Sequence, residues 1–391
     1  MLKISGHPSV CRLKPEDKTC ISEMTINLVP PKNILATLKR KEPENVSNIR
    51  QVYNIRYQTN KAIRGDRSEM QHPLKLLDDN SYVSRYRTYD DGVTVRDIFW
   101  THPDSIKLFN TFSTVLILDS TYKTNKYRLP LFEMVGVTST DKTFAVGFAF
   151  LECEKENNFT WALEVCRSLL KKHVEMPQAI VTDRDTALMN AVAKVFPSSN
   201  ALLCRYHITK NVRSRVKPAV GTELVELEDG KLVKAGVIVE KIMDAWNRII
   251  NSSTKELYAD SVIQFRKVCE KYPSLLKYVE STILDQVKEK IVCAWTDNVR
   301  HLGNTTTNRV ESAHASLKNW LGNSKGDLCR DWDSVNLMIK NQHNEIQTTF
   351  GRSITVLEHR FKDNILYSHL VGNISRAGLN YIFTRPNELI M

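Results

Sequence analysis

The sequence predicts an α/β fold: a five-stranded mixed sheet with helices around it and a long helical tract after it. Three observations carry this. Three short apolar runs follow one another with no helix between them. Two further short strands come next, each separated from the strand before it by a helical stretch, which implies crossover connections. From about residue 207 onward nearly every window has helical periodicity.

In chain order, residues 1 to about 25 are polar and read as irregular. Pro30-Pro31 marks a boundary, because neither proline can donate a backbone hydrogen bond. Ile34 and Leu38 then fall at helical spacing. After the polar break Lys41–Asn45, residues Ile49, Val52, Tyr53 and Tyr57 share one side of a second helix. Two short helices rich in Lys and Arg fit either a small packing module or a helix-turn-helix reader of DNA. Thr114–Leu118 is β-branched and almost continuously apolar, a buried strand. Leu131–Thr138 and Thr143–Leu151 are two more, joined by Ser139-Thr140-Asp141-Lys142, which has turn composition. Asn158–His173 is helical, Ala179–Val181 a strand, Thr186–Phe196 a helix and Ala201–Leu203 the fifth strand. Within the helical tract, Glu223–Leu227 alternates and Asp229-Gly230 is a hairpin signal, so a small hairpin is expected there.

Composition excludes several classes. Hydrophobic residues make up 42% and charged residues 25% of 391, ordinary values for a folded chain. The longest apolar run, Phe144–Leu151, is far short of the ~18 residues a spanning helix needs, so no membrane partner is expected. The N-terminus has no apolar core of a signal peptide. Eight cysteines lie scattered with no C-x-x-C pair, which reads as buried thiols in a reducing compartment. Lys plus Arg (55) minus Asp plus Glu (44) gives +11, a balance that suits a handler of polyanions.

Asp119 and Asp183 each stand directly after a predicted strand, where a rigid sheet can aim a side chain. Glu311 is the best third acid, beside the apolar stripe of its helix. Each has a structural alternative. Asp119 can open a turn into Ser120-Thr121, and Asp183 can cap the next helix, although Asp185 is better placed for that. Asn308-x-x-Glu311 resembles a capping box. Three converging carboxylates would suit phosphodiester chemistry, which two Mg²⁺ ions ~3.5–4 Å apart support through hard oxygen ligands.

The stretches LILDSTYKTNKYRLPLFEMVGVTSTDKTFAVGFAFLECEKENNFTWALEVCRSLL, AIVTDRDTALMNAVAKVFPSSNALLCRYHITKNV and TTTNRVESAHASLKNWL occur in that order. Together they resemble the catalytic core of Mutator-like (MULE) transposases, a family that includes the far-red impaired response regulators of plants. The resemblance covers roughly residues 30 to 330. It implies a ribonuclease H-like five-stranded sheet with a DDE triad of Asp119, Asp183 and Glu311 holding two Mg²⁺ ions. It also implies a helical domain inserted in the 311 − 204 = 107 residues between Cys204 and Glu311. Cys204-Arg205-Tyr206-His207 matches the family's C-x-x-H motif. Zinc is not expected, since two more local ligands are missing. Beside a phosphodiester site, Arg205, His207, Lys210, Arg213, Arg215 and Lys217 are candidate contacts to DNA.

The expected organisation is therefore a remnant of an N-terminal zinc-type domain at 1–25, suggested by HPSVCRLKPEDK, and an N-terminal helical region at 26–110. A ribonuclease H-like core follows at 111–215 and 301–330, with a helical insertion at 216–300 and a C-terminal helical region at 331–391. No SWIM-type zinc module follows residue 330, so the chain reads as a core truncated at both ends. The expected function is DNA cleavage and strand transfer in the nucleus. A domesticated DNA-associated transcription regulator and an inactive element remnant are the alternatives, and a homodimer stays open.

Overall fold

The structure is a computed structural model. It describes residues 13–384, apart from 28, 69, 173, 222–223, 227–231, 323–327, 357 and 363–364. The chain divides into two compact units, Met1–Leu76 and Leu77–Met391.

The first unit contains α1 (Pro15–Ile26), α2 (Pro31–Lys41), α3 (Ile49–Arg64) and α4 (Gln71–Asp79), the last of which runs across the division. Ile21, Ile34, Leu38 and Val52, one or two from each of the first three helices, form its buried core. The expected irregular segment up to residue 25 is thus corrected. Its described part is helix α1, which crosses the expected boundary at 25–26 because Ile21 packs on α2 and α3.

The second unit is built on a seven-stranded mixed sheet rather than a five-stranded one. Its strands and flanking helices run β1 (Val83–Thr88), β2 (Val95–Thr101), α5 (Pro103–Thr111), β3 (Val115–Thr121), β4 (Leu131–Val137), β5 (Thr143–Phe150), α6 (Glu156–Ser168), β6 (Ala179–Thr182), α7 (Thr186–Val195) and β7 (Asn200–Leu203). The spatial order is β1-β2-β5-β4-β3-β6-β7. β3, β4 and β5 form the antiparallel meander, and β6 and β7 are added in parallel after their crossovers. The two extra strands correct the expected helical region 26–110. They form a hairpin through Asp90-Asp91-Gly92, with Gly92 at φ +67° and Asp91 accepting the amides of Val93 and Thr94. β2 then pairs with β5, Phe99 opposite Ala149.

Both faces of the sheet are covered. On one face Leu116, Leu118, Phe132, Met134 and Phe144 pack against α6, α7 and Ile346 of a later helix. On the other, Val115, Ile117, Val135 and Val181 pack against Val310. This alternation along β3 decides the site, because residues 115, 117 and 119 share a face.

After β7 comes α8 (Arg205–Val220), then the short hairpin β8 (Leu224–Glu226) and β9 (Leu232–Lys234). The expected turn at Asp229-Gly230 lies outside the described residues. Then follow α9 (Ala235–Ile250), α10 (Lys255–Val268), α11 (Pro273–Tyr278), a π-helical turn at 279–284, α12 (Asp285–Val287) and α13 (Cys293–Thr296). They share a core in which Ile208, Val212 and Val216 of α8 meet Trp246, Phe265, Leu275 and Ile283. Leu257 of α10 lies outside this core and is exposed. The chain returns to the sheet with α14 (Asn308–Leu321) and ends in the described residues with α15 (Leu328–Thr355), α16 (His359–Lys362) and α17 (Arg376–Thr384).

Candidate active site

β3 runs to Thr121, so Asp119 lies inside the strand rather than after it. β6 is parallel to β3, with Ile117 paired to Val181. Two residues further on, that register sets Asp119 beside Asp183 at the C-terminal ends of neighbouring strands, ~4.8 Å apart in the pairing direction. Asp185, not Asp183, caps the next helix, accepting the Leu188 amide at 2.7 Å.

α14 lies along β3 in matched steps. Val310 packs with Ile117, His314 reaches Asp119, and the Lys318 ammonium donates to the Thr121 hydroxyl. Four residues of helix rise ~6 Å and two residues of strand ~6.6 Å, so each helical turn meets the next same-face strand residue. Glu311 is carried to the same end by this helix. The helix starts at Asn308 with Thr307 as its N-cap. The Glu311 carboxylate accepts the Thr307 hydroxyl at 2.7 Å, not the capping-box amide.

Thr307 is fully buried and works as a hub. Its hydroxyl lies 2.7 Å from Glu311 Oε1, 3.2 Å from Asp183 Oδ1 and 3.2 Å from Cys204 Sγ. Its amide donates to the same sulfur at 3.3 Å. His207, near the start of α8, places Nδ1 2.7 Å from Asp183 Oδ1 and 3.8 Å from Glu311 Oε1. The C-x-x-H motif is therefore part of this cluster. Asp183, Cys204 and His207 can bring one potential ligand atom each within 4.8 Å of one another. The aspartate supplies a third donor that the local sequence around Cys204 lacks.

Asp119 feels the whole group. Burial, then the charge of Asp183, pushes its carboxyl up to about 7, and Glu311 adds to the effect. Opposite Asp119 on β4 stands Glu133, wholly buried and without a hydrogen-bond partner among the described residues. Burial, then Asp119, pushes it up to about 8. His314 lies between them, Nδ1 3.6 Å from Asp119 Oδ2 and Nε2 3.5 Å from Glu133 Oε2. Burial holds this imidazole down at about 4, so it is neutral at physiological pH.

The basic candidates on α8 separate into two groups. Arg205 is 16% exposed and turned inward, donating to Cys293 Sγ at 3.3 Å and to the Thr296 hydroxyl. Arg213 pairs with Glu240, and Arg215 lies 5.1 Å over the Tyr278 ring. Lys210 and Lys217 are exposed. Beyond β3, the segment holding Tyr122, Lys123, Lys126, Tyr127 and Arg128 is exposed too, and the buried Asn125 side chain braces it through both the amide and the carbonyl of Leu129.

Three participants have weak or no sequence signals. Glu133 was legible as the one acid inside an apolar strand. His314 sits on the buried stripe of its helix. Thr307 is an ordinary threonine before a helix, and nothing in its neighbourhood announces the hub.

Parts of the chain match known proteins. Residues 115–211 match the MULE transposase domain, a segment that holds Asp119 and Asp183 but not Glu311. The chain is similar to Putative protein FAR1-RELATED SEQUENCE 10 of Arabidopsis thaliana, 29% identical over 166 residues, 42% of this chain and 24% of that protein. It is also similar to Protein FAR1-RELATED SEQUENCE 5 of the same plant, 31% identical over 123 residues, 32% and 15% of the two chains. A third relative, the PKS-NRPS hybrid synthetase cheA of Chaetomium globosum, is 23% identical over 425 residues, 99% of this chain but 9% of that protein. The matches thus span a quarter or less of each relative's length. Among the described residues, no helix is long and apolar enough to cross a membrane.

Proposed function

We propose that this chain, with a MULE transposase domain at 115–211, is a nuclear DNA-handling protein of the DDE class that cuts and joins phosphodiester bonds. One observation carries the reading: Asp119, Asp183 and Glu311, far apart in sequence, gather at one end of one sheet face. The strand order β5-β4-β3-β6-β7, an antiparallel meander extended by two parallel strands, supports a ribonuclease H-like core.

The residues fit a pair of Mg²⁺ ions. Three carboxylates supply hard oxygen donors. Burial first, and then the charge of Asp183, raise Asp119, and a dication would relieve the repulsive part of that shift. Held by Asp119, Asp183 and Glu311, such a pair would supply activation of the attacking oxygen and stabilisation of the leaving one. The protein's own part is to hold the donors in place. Thr307 fixes the Glu311 carboxylate, His207 holds Asp183, and His314 backs Asp119 against the sheet. Without a counter-charge, burial and then the charge of Asp183 hold Asp119 up at about 7, so it is only about half ionised at neutral pH. The exposed Tyr122–Arg128 segment beside Asp119, with Lys210 and Lys217, offers cations for a DNA backbone.

Similarity to FAR1-related proteins favours a second reading, DNA association in gene regulation without turnover. A strand-cleavage assay on element ends separates the two. Mg²⁺-dependent nicking that disappears in Asp119→Asn and Glu311→Gln supports the enzyme. Binding without nicking in the native chain supports the regulator.

A further inference from the structure

The helices of the first unit carry a surface that the carboxylate site does not use. α2 and α3 together hold eight basic residues and no acid. α1 holds three acids, Glu16, Asp17 and Glu23, against Lys18. A helix face made only for solvent usually mixes its charges, and a one-sign face suits a polyanion.

α3 is the helix to consider. Its start is fixed by a capping box, Asn48 and Gln51 each bonding the other's backbone amide. Val52 and Ile55 turn toward Ile21, Ile34 and Leu38. On the other side, Arg50, Tyr53, Tyr57 and Lys61 form one row. At 100° per residue these four positions fall within about 80° of arc, roughly opposite Val52. Tyr53 and Tyr57 are 55% and 67% exposed, and Arg50 and Lys61 are exposed as well. Two neighbouring tyrosines in water, flanked by cations, make a rigid amphipathic contact strip. The helix is 16 residues long, and the ~12 Å width of a major groove admits an α-helix.

The geometry points to a duplex-DNA-binding face on α3, made of Arg50, Tyr53, Tyr57 and Lys61 and separate from the carboxylate site. Arg50 and Lys61 contact phosphates, and the two phenol rings pack on sugars and base edges between them. The inference rests on the reading that DNA is what this chain handles, but not on whether it cuts. It also replaces the inward-turned Arg205 and the paired Arg213 as the main source of DNA affinity.

The test uses the full chain and fluorescence anisotropy on a labelled 20-base-pair duplex between 50 and 200 mM salt. Arg50→Ala with Lys61→Ala should weaken binding at least tenfold at low salt and reduce the log–log salt slope by about 1.8, roughly 0.9 per lost phosphate contact. Tyr53→Ala with Tyr57→Ala should weaken binding at an unchanged slope. All four side chains are exposed, so thermal melting should match the native chain in both pairs. Unchanged affinity and slope in both pairs overturns the inference, whatever the nicking assay reports. Loss of binding in those pairs, with no nicking by the native chain, upholds it while the cutting reading fails. Binding of α3 to phosphatidylserine vesicles but not to duplex would also overturn it.

Discussion

Glu133 sits inside β4, buried beside Asp119 and hydrogen-bonded to nothing among the described residues. Its folded pKa of about 8 lies above the unfolded value of 4.5, so the native state binds the extra proton. Stability is therefore fully present below about pH 4.5 and is lost as pH rises toward 8. Glu133→Gln removes this loss. In chelator, its gain in unfolding free energy over the native chain should grow from pH 5 to pH 9 by roughly 4 kcal/mol, since the shift from 4.5 to about 8 is worth ~1.4 kcal/mol per unit. A difference that stays flat with pH would show that Glu133 does not titrate there. Thr307 gives a second expectation at this scale. Thr307→Val keeps the volume but frees both Glu311 and Asp183, and should lower nicking about 10–100-fold, with Thr307→Ser restoring most of it. Equal activity of the valine variant would remove the hub from the mechanism. The two residues differ in legibility. An acid in the middle of LFEMVGV breaks an apolar run and asks for a reason. A threonine before a helix asks for none, and the three groups around its hydroxyl come from segments more than a hundred residues away or from the next turn.

Among the elements, the meander was readable because β3, β4 and β5 are largely buried on both faces and so are mostly apolar. The β1–β2 hairpin escaped because β1 is an edge strand. Its Ser84, Arg85 and Arg87 blur the alternation, as edge strands commonly do. The same sheet contains two close approaches that only glycine allows. A Cβ at Gly136 would stand 2.5 Å from the Phe144 ring, and one at Gly147 would stand 2.7 Å from the Phe99 ring. Phe99 belongs to β2 and Gly147 to β5, so the second approach joins the hairpin to the core. Gly147→Ala should cost about 1–3 kcal/mol, read as a lower urea midpoint at an unchanged slope. An unchanged midpoint would mean that Phe99 swings aside freely.

At the scale of the molecule, the resemblance implied an insertion between Cys204 and Glu311, and α8–α13 occupy that interval around a shared core. The division near residue 76 was not announced, since no proline or glycine cluster marks it. Because the first unit has its own small core, calorimetry should resolve two transitions, the weaker one lost when trypsin cuts near Arg64 or Arg67. A single two-state transition would contradict this. The order of the three acids along the chain has a consequence in time. Glu311 follows Asp183 by 311 − 183 = 128 residues. With synthesis at roughly 5–20 residues per second, the later aspartate precedes it by about 6–26 s. Throughout that interval a ribosome-bound chain owns β3, β6 and two of the three acids, and the proposed carboxylate cluster is incomplete. On the proposed reading, a chain stopped before Glu311 keeps β3, β6 and both aspartates but lacks the third carboxylate.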